Sequence, residues 1–160
     1  SRILIIGAGG VVRPTLIRLI DNKPKSITVV NRTKSKAKTL AEDILKSTGF
    51  EVNTEIDKLE FDIVINTTSA GMEPQENVMP IDNIEEINDL SFINENTAAV
   101  DMISNHYKTL FLLEAEKRGS KILNGLGLII YQGIIAYELF TDTKLPDDMG
   151  ERIKKEVFGR

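Results

Sequence analysis

Ile3-Leu4-Ile5-Ile6-Gly7-Ala8-Gly9-Gly10-Val11-Val12 is the stretch on which the fold turns. Its first four residues are an unbroken apolar, largely β-branched run, the composition of a parallel strand covered on both faces. Gly7-Ala8-Gly9-Gly10 ends the run. Beyond it Val11, Leu16, Leu19 and Ile20 recur at helical spacing until Asp21-Asn22-Lys23-Pro24 breaks the pattern, and Ile27-Thr28-Val29-Val30 starts a second strand. Strand, glycine turn, helix and strand in that order predict a β-α-β unit with a right-handed crossover.

A helix that begins directly after such a turn presents unpaired N–H groups and the positive end of its dipole, which suits a pyrophosphate. Gly7 permits the tight turn, Gly9 lets the backbone approach an anion without a Cβ in the way, and Ala8, Gly10 and Val11 complete the cradle. Val12 stands where the dinucleotide fingerprint has its third glycine, so a slightly wider helix-to-strand separation is expected. The second strand ends at Asn31-Arg32-Thr33, 24 positions after Gly7, where an NAD-binding chain places a carboxylate on the ribose hydroxyls. No carboxylate stands there. The planar fork of Arg32 suits a 2′-phosphate, Asn31 and Thr33 can add neutral hydrogen bonds, and Lys36 lies one turn into the next helix, so NADP is the cofactor expected. The alternative is an arginine that solvates the strand end or pairs with a neighbouring acid.

Working outward, a second amphipathic helix spans about 35–47 and stops at Gly49, a short strand falls near 51–53, and Phe61-Asp62-Ile63-Val64-Ile65 reads as another buried strand. Residues 73–97 carry many Asp, Glu and Asn among isolated Ile and Leu and read as an irregular connection with one short helix. Ala98-Ala99-Val100 resumes a strand, Thr109 to Arg118 forms a helix stopped by Gly119, and Lys121-Ile122-Leu123 adds a last strand. Two helices follow, about 128–140, apolar nearly all round, and about 147–157, amphipathic. The alternation predicts a doubly wound α/β fold, a mostly parallel sheet with helices on both faces, and such sheets bind ligands at the carboxyl ends of their strands.

The 160 residues, 41% apolar and 28% charged, fit one domain over 1–160. No apolar run reaches the length of a membrane span, since Gln132 and Gly133 interrupt the longest candidate. With no Cys and one His, disulfide scaffolds, thiolate chemistry and a Cys- or His-based metal site are not expected, and the cytoplasm is the natural compartment. Ten Lys and Arg against three Asp and Glu in residues 1–50 make a basic island in a chain of net charge −4, while residues 51–100 carry one Lys against twelve acids. Such an island suits a small polyanion better than nucleic acid, although Lys34, Lys36, Lys38 and Lys46 also fit an ordinary solvated helix face.

Asn66-Thr67-Thr68-Ser69-Ala70-Gly71 gives a polar loop at the ligand edge, where Thr67, Thr68 and Ser69 either face the cofactor or merely cap and turn the backbone. Asn124-Gly125-Leu126-Gly127 opens the long apolar helix, and its glycines permit close approach of a flat ring. Gln132, an amide in that helix, must either bond within the core or reach a polyhydroxylated ligand, because an unpaired buried amide costs about 1–3 kcal/mol.

Taken in order, these segments resemble the shikimate dehydrogenase family: the glycine turn, Asn31-Arg32-Thr33, the Asn66 to Gly71 loop, Asp101-Met102 followed by Thr109, and Gly125-Leu126-Gly127 through Gln132 to Glu138-Leu139. The resemblance implies reversible NADPH-dependent reduction of 3-dehydroshikimate to shikimate in aromatic amino acid biosynthesis. It implies that Met102 and Gly127 lie by the nicotinamide, that Gln132 faces the substrate, and that a preceding domain supplies the catalytic Lys and Asp. That domain is absent from this chain, which begins at Ser1 and reads as a piece of something longer, so no catalytic residue is assigned and the chain alone is expected to be inactive. Ser104 stands where the family usually has a substrate-facing Tyr, which leaves room for quinate or another ring. Competing readings are a non-catalytic NADP-binding module and the NADP domain of a tRNA-dependent reductase, the latter disfavoured by the Gly127 to Gln132 helix. The partner expected is a small-molecule substrate, with no nucleic acid and no membrane, and a homodimer is left open.

Overall fold

The computed structural model describes residues 1–159. Among them β1 (Arg2–Ile6), β2 (Ser26–Val30), β3 (Ile63–Asn66), β4 (Ala98–Asp101) and β5 (Lys121–Leu123) form one sheet in the order β2-β1-β3-β4-β5, every pairing parallel. The helices are α1 (Val12–Asp21), α2 (Lys34–Thr48), α3 (Leu110–Lys117), α4 (Leu126–Thr141) and α5 (Met149–Phe158). This is a Rossmann-like α/β sheet. The chain runs outward from β1 to β2 and then returns to the other side of β1, so a crevice opens above the carboxyl end of β1.

Alternation along β1 divides the core. Ile3 and Ile5 join Ile27 and Val29 on one face, covered by Val12, Leu16, Ala37 and Ile44 of α1 and α2. Val12 is fully buried there, so a valine at the third fingerprint position serves as a packing residue between α1 and the sheet. Leu4 and Ile6 join Val64 and Ala99 on the other face, covered by Phe111, Leu112 and Ala115 of α3.

The rest of that second face is covered by part of the connection read as irregular. It contains no helix, contrary to the sequence expectation. Ile81, Ile84, Ile87, Leu90 and Ile93 recur at every third position and are all buried, and they form a stair of tight turns, with Ile84 N donating to Ile81 O (2.9 Å), Ile87 N to Ile84 O (3.1 Å) and Ile93 N to Leu90 O (2.9 Å). A spacing of three aligns successive side chains on one edge of such turns, so the stair replaces a helix as a layer over the sheet.

One further expectation is corrected. The strand near 51–53 is a single bridge, Asn53 beside Thr28 at the edge of β2, with Val52 buried between the exposed Glu51 and Asn53; one apolar residue is too little to extend the pairing. The long helix α4, apolar nearly all round as its sequence reads, leaves most of that surface uncovered. Only Ile130 is enclosed, while Ile135, Leu139 and Phe140 are 56%, 79% and 91% exposed. Gln132 is exposed too, so the core-amide alternative falls away. No helix among the described residues is long and apolar enough to cross a membrane.

Candidate functional site

Parallel register sets the ends of four strands abreast: Ile6 beside Val30 and Asn66, and Asn66 beside Asp101. Four loops therefore rise together at one edge, 7–11, 31–33, 66–71 and 101–105. Gly7 turns the chain with φ +116°, and its N–H donates to Val30 O at 2.8 Å. A Cβ there would run into Thr67 Oγ1, whose hydroxyl donates to Ile6 O at 2.8 Å, so glycine is required by conformation and by space together. Over Gly9 and Gly10, by contrast, nothing lies within 4 Å of where a Cβ would sit. No hydrogen bond within the described residues reaches the N–H groups of Ala8, Gly9, Gly10 or Val11, the turn that leads into the amino terminus of α1. Open space above unpaired donors is what an anion needs.

Two cavities flank this turn. One, about 230 Å³, is lined by Gly7, Asn31, Arg32, Thr33 and Lys36 together with Thr68 and Ser69, and is closed by Gln75, Met79 and Ile84. The other, about 550 Å³, is lined by Val11, Thr67, Thr68, Ser69, Met72, Met102, Ile103, Ser104, Asn105 and Leu128. Thr68 and Ser69 belong to both, so the 66–71 loop forms a ridge between two halves of one cleft.

The basic island is divided by its surroundings. Arg2 pairs with Glu60 (2.8 Å) and Asp62 (3.1 Å), Lys34 with Glu85 (2.8 Å) and Glu86 (2.9 Å), and Lys38 with Glu55 (3.9 Å), so acids of residues 51–100 take up several of its cations. The two carboxylates hold the Lys34 ammonium above the usual lysine range. Arg32 and Lys36 make no ion pair within 4.0 Å among the described residues, and both line the first cavity. Asn31 Nδ2 donates to Thr33 O at 2.9 Å, fixing the bend that turns Arg32 out of the sheet. Lys23, Lys25 and Lys46 likewise have no ion pair among the described residues, but they line neither cavity; the unpaired cations at the cleft are Arg32 and Lys36.

Behind the ridge Asn66 and Asp101 are fully buried. Thr68 N and Thr68 Oγ1 donate to Asn66 Oδ1 at 2.9 and 2.7 Å, and Thr68 Oγ1 in turn accepts from Ala70 N at 3.1 Å. Thr68 thus does what the local-capping alternative says while also lining both cavities. Burial pushes the Asp101 carboxyl up, opposed by hydrogen bonds from Thr109, Ile103 and Asn66.

The structure gathers Gly7, Val11, Asn31, Arg32, Thr33, Lys36, Thr67, Thr68, Ser69 and Met102 around one cleft. Gly127 and Gln132 do not line either cavity. Leu128 does, and Gln132 lies four residues further along α4, on the same helix face and one turn beyond the cavity edge. Sequence reasoning missed Gln75, Met79, Ile84, Met72 and Asn105. The period of three from Ile81 to Ile93 was the available signal for the wall that carries Ile84.

Fold and cleft together define a dinucleotide-binding α/β domain. Comparison with known proteins narrows this: the profile of the shikimate / quinate 5-dehydrogenase family matches residues 1–103, and the chain belongs to that family. It is similar to the "Shikimate dehydrogenase (NADP(+))" of Geobacillus sp. (strain WCH70), 41% identical over 99% of this chain and 55% of that protein. Among solved structures, a shikimate dehydrogenase in complex with NADP+ is 32% identical and superposes with TM-score 0.80 over 95% of this chain and 53% of its own. A ligand-free 5-ketofructose reductase of Gluconobacter sp. strain CHM43 is 30% identical, with TM-score 0.74 over 99% of this chain and 57% of its own. The chain spans about half the length of the curated relatives it matches.

Proposed function

We propose that this chain is the NADP-binding unit of a shikimate dehydrogenase, an enzyme that interconverts 3-dehydroshikimate and shikimate in the cytoplasm on the route to aromatic amino acids. The observation that carries the cofactor assignment is that Arg32 and Lys36 stand without a carboxylate partner among the described residues, in the same cavity as Gly7. Both offer positive charge to a 2′-phosphate, Arg32 with its planar fork. The open N–H groups of Ala8, Gly9, Gly10 and Val11 receive the pyrophosphate. Thr67, Thr68, Ser69 and Met102 position the nicotinamide half in the second cavity, with Gly127 close to its rim. When bound, NADPH supplies the hydride.

No residue here is assigned to the proton transfer; a Lys and an Asp of a further domain carry it, and the isolated chain binds NADP without turnover. The bare apolar face of α4, together with relatives nearly twice as long, supports such a domain. Gln132, beyond Leu128 on the same helix face, meets the substrate from the α4 side.

A second reading keeps the cofactor and changes the ring. Ser104 is half-buried in the second cavity, where a small hydroxyl leaves space, and a relative at 30% identity is named for reducing 5-ketofructose. Rates of the parent protein with shikimate, quinate and an open polyol separate the two. The cofactor assignment is tested by calorimetric titration of this chain with NADP+ and NAD+: NADP+ binds clearly tighter, and equal affinities overturn it.

A further inference from the structure

We propose that Asp101 is a positioning residue for the nicotinamide half of the cleft, a buried carboxylate that holds two cofactor-side loops and the starts of two helices in one arrangement. The inference rests on the dinucleotide reading of the cleft and deepens it. Asp101 ends β4, directly beside Asn66 at the end of β3, and lines neither cavity. Its Oδ1 accepts from Asn66 Nδ2 at 3.1 Å and from Ile103 N at 3.0 Å, and its Oδ2 accepts from Thr109 Oγ1 at 2.6 Å.

Each donor belongs to a different segment. Asn66 organises the 66–71 ridge, and its own carbonyl accepts from Met102 N at 3.0 Å. Ile103 follows Met102 in the second cavity, and its carbonyl accepts from Gly125 N at 2.9 Å, which ties the start of α4 to the same turn. A Cβ on Gly125 would drive into the Met102 carbonyl, so the approach is as close as backbone allows. Thr109 caps α3, accepting from Leu112 N at 3.4 Å. One carboxylate therefore lies at the junction of four segments, and the loops it joins carry Thr67, Thr68, Ser69, Met102, Ile103 and Ser104 to the cavity wall. None of its direct partners lines the Arg32 cavity, which the network reaches only at one remove through the Asn66-anchored ridge, whereas Ile103 lines the second cavity itself.

That asymmetry gives the test. The chain and its D101A, D101N and T109V variants are titrated with NADP+ and with adenosine 2′,5′-bisphosphate, which has the 2′-phosphate and no nicotinamide. D101A weakens NADP+ by about tenfold or more, the scale of losing hydrogen bonds to a charge, and changes the adenosine ligand by less than about twofold. D101N restores most of the NADP+ affinity, because its amide oxygen replaces Oδ1 and its NH2 donates to the Thr109 hydroxyl. T109V, which keeps the β-branched shape and serves if D101A does not fold, weakens NADP+ by several-fold, again selectively. Equal losses for both ligands, or unchanged NADP+ binding in D101A and T109V, overturn the proposal. An unmutated chain that binds neither ligand overturns the cofactor reading itself, and this inference with it.

Discussion

Replacing Arg32 by Ala separates the two halves of the cofactor argument. The guanidinium is exposed and has no carboxylate within 4.0 Å among the described residues, so it gives up no ion pair when it meets a phosphate. Hydrogen bonds to charged groups contribute about 1.5–3 kcal/mol, which is roughly 10- to 150-fold in affinity. Exposure favours the lower part of that range, because water and salt screen the pair. The assay is calorimetric titration at low and at physiological salt. Arg32→Ala weakens NADP+ by at least about tenfold at low salt and leaves NAD+ within about twofold, so the preference between them collapses. Lys36→Ala acts in the same direction but less, by about 2- to 5-fold, as an exposed point charge without a planar fork. A variant that loses NADP+ and NAD+ equally, or loses neither, refutes the assignment of Arg32.

The glycine turn makes opposite demands at two positions. Gly7→Ala combines φ +116° with a collision at Thr67 and costs about 1–3 kcal/mol or more of stability, visible as a lower melting temperature, whereas Gly9→Ala leaves melting unchanged and weakens NADP+ binding; equal melting of both variants contradicts the geometry. Ile87→Ala, at a buried step of the stair, costs about 2–5 kcal/mol in urea unfolding, and a cost near zero would mean the 81–93 layer is not part of the core. Asp101 has its folded carboxyl raised by burial, so its contribution is fully present below the unfolded value and is lost as pH rises through the folded one. Urea unfolding followed upward from about pH 4 therefore shows the chain losing stability relative to D101N as pH rises, and a chain that gains stability relative to D101N over that rise contradicts the sign.

What the sequence disclosed was local. The Ile3 to Ile6 run, the Gly7 to Gly10 bend and the apolar spacing of α1 each report on neighbours a few residues away, and those elements lie where their pattern places them. The 81–93 stair was illegible for a related reason: a period of three matches neither the strand period of two nor the helix period of 3.6, so its five apolar residues read as isolated. For α4, composition reported which surface seeks cover and not whether this chain supplies it. Its apolar face is real, and Leu139 and Phe140 remain in water.

The division of labour among Arg32, Lys34 and Lys36 shows where sequence reading ends. Three cations at alternate positions look equivalent in the chain, and the motif alone distinguishes them only by distance from the strand end. The fold distinguishes them, because the stair that covers one face of the sheet carries Glu85 and Glu86 to Lys34 in a cavity that Arg32 also borders, while Arg32 and Lys36, both unpaired, line the cavity that holds Gly7. The acidic excess of residues 51–100 thus removes a cation flanked by two others and leaves those two facing the cavity. A basic island built for general attraction would lose most from added salt at all its lysines. Here Lys23, Lys25 and Lys46 are unpaired elsewhere on the surface, and of the unpaired cations Arg32 and Lys36 alone line the cavity that holds Gly7, beside the open N–H groups that follow it, a placement that suits one phosphorylated ligand.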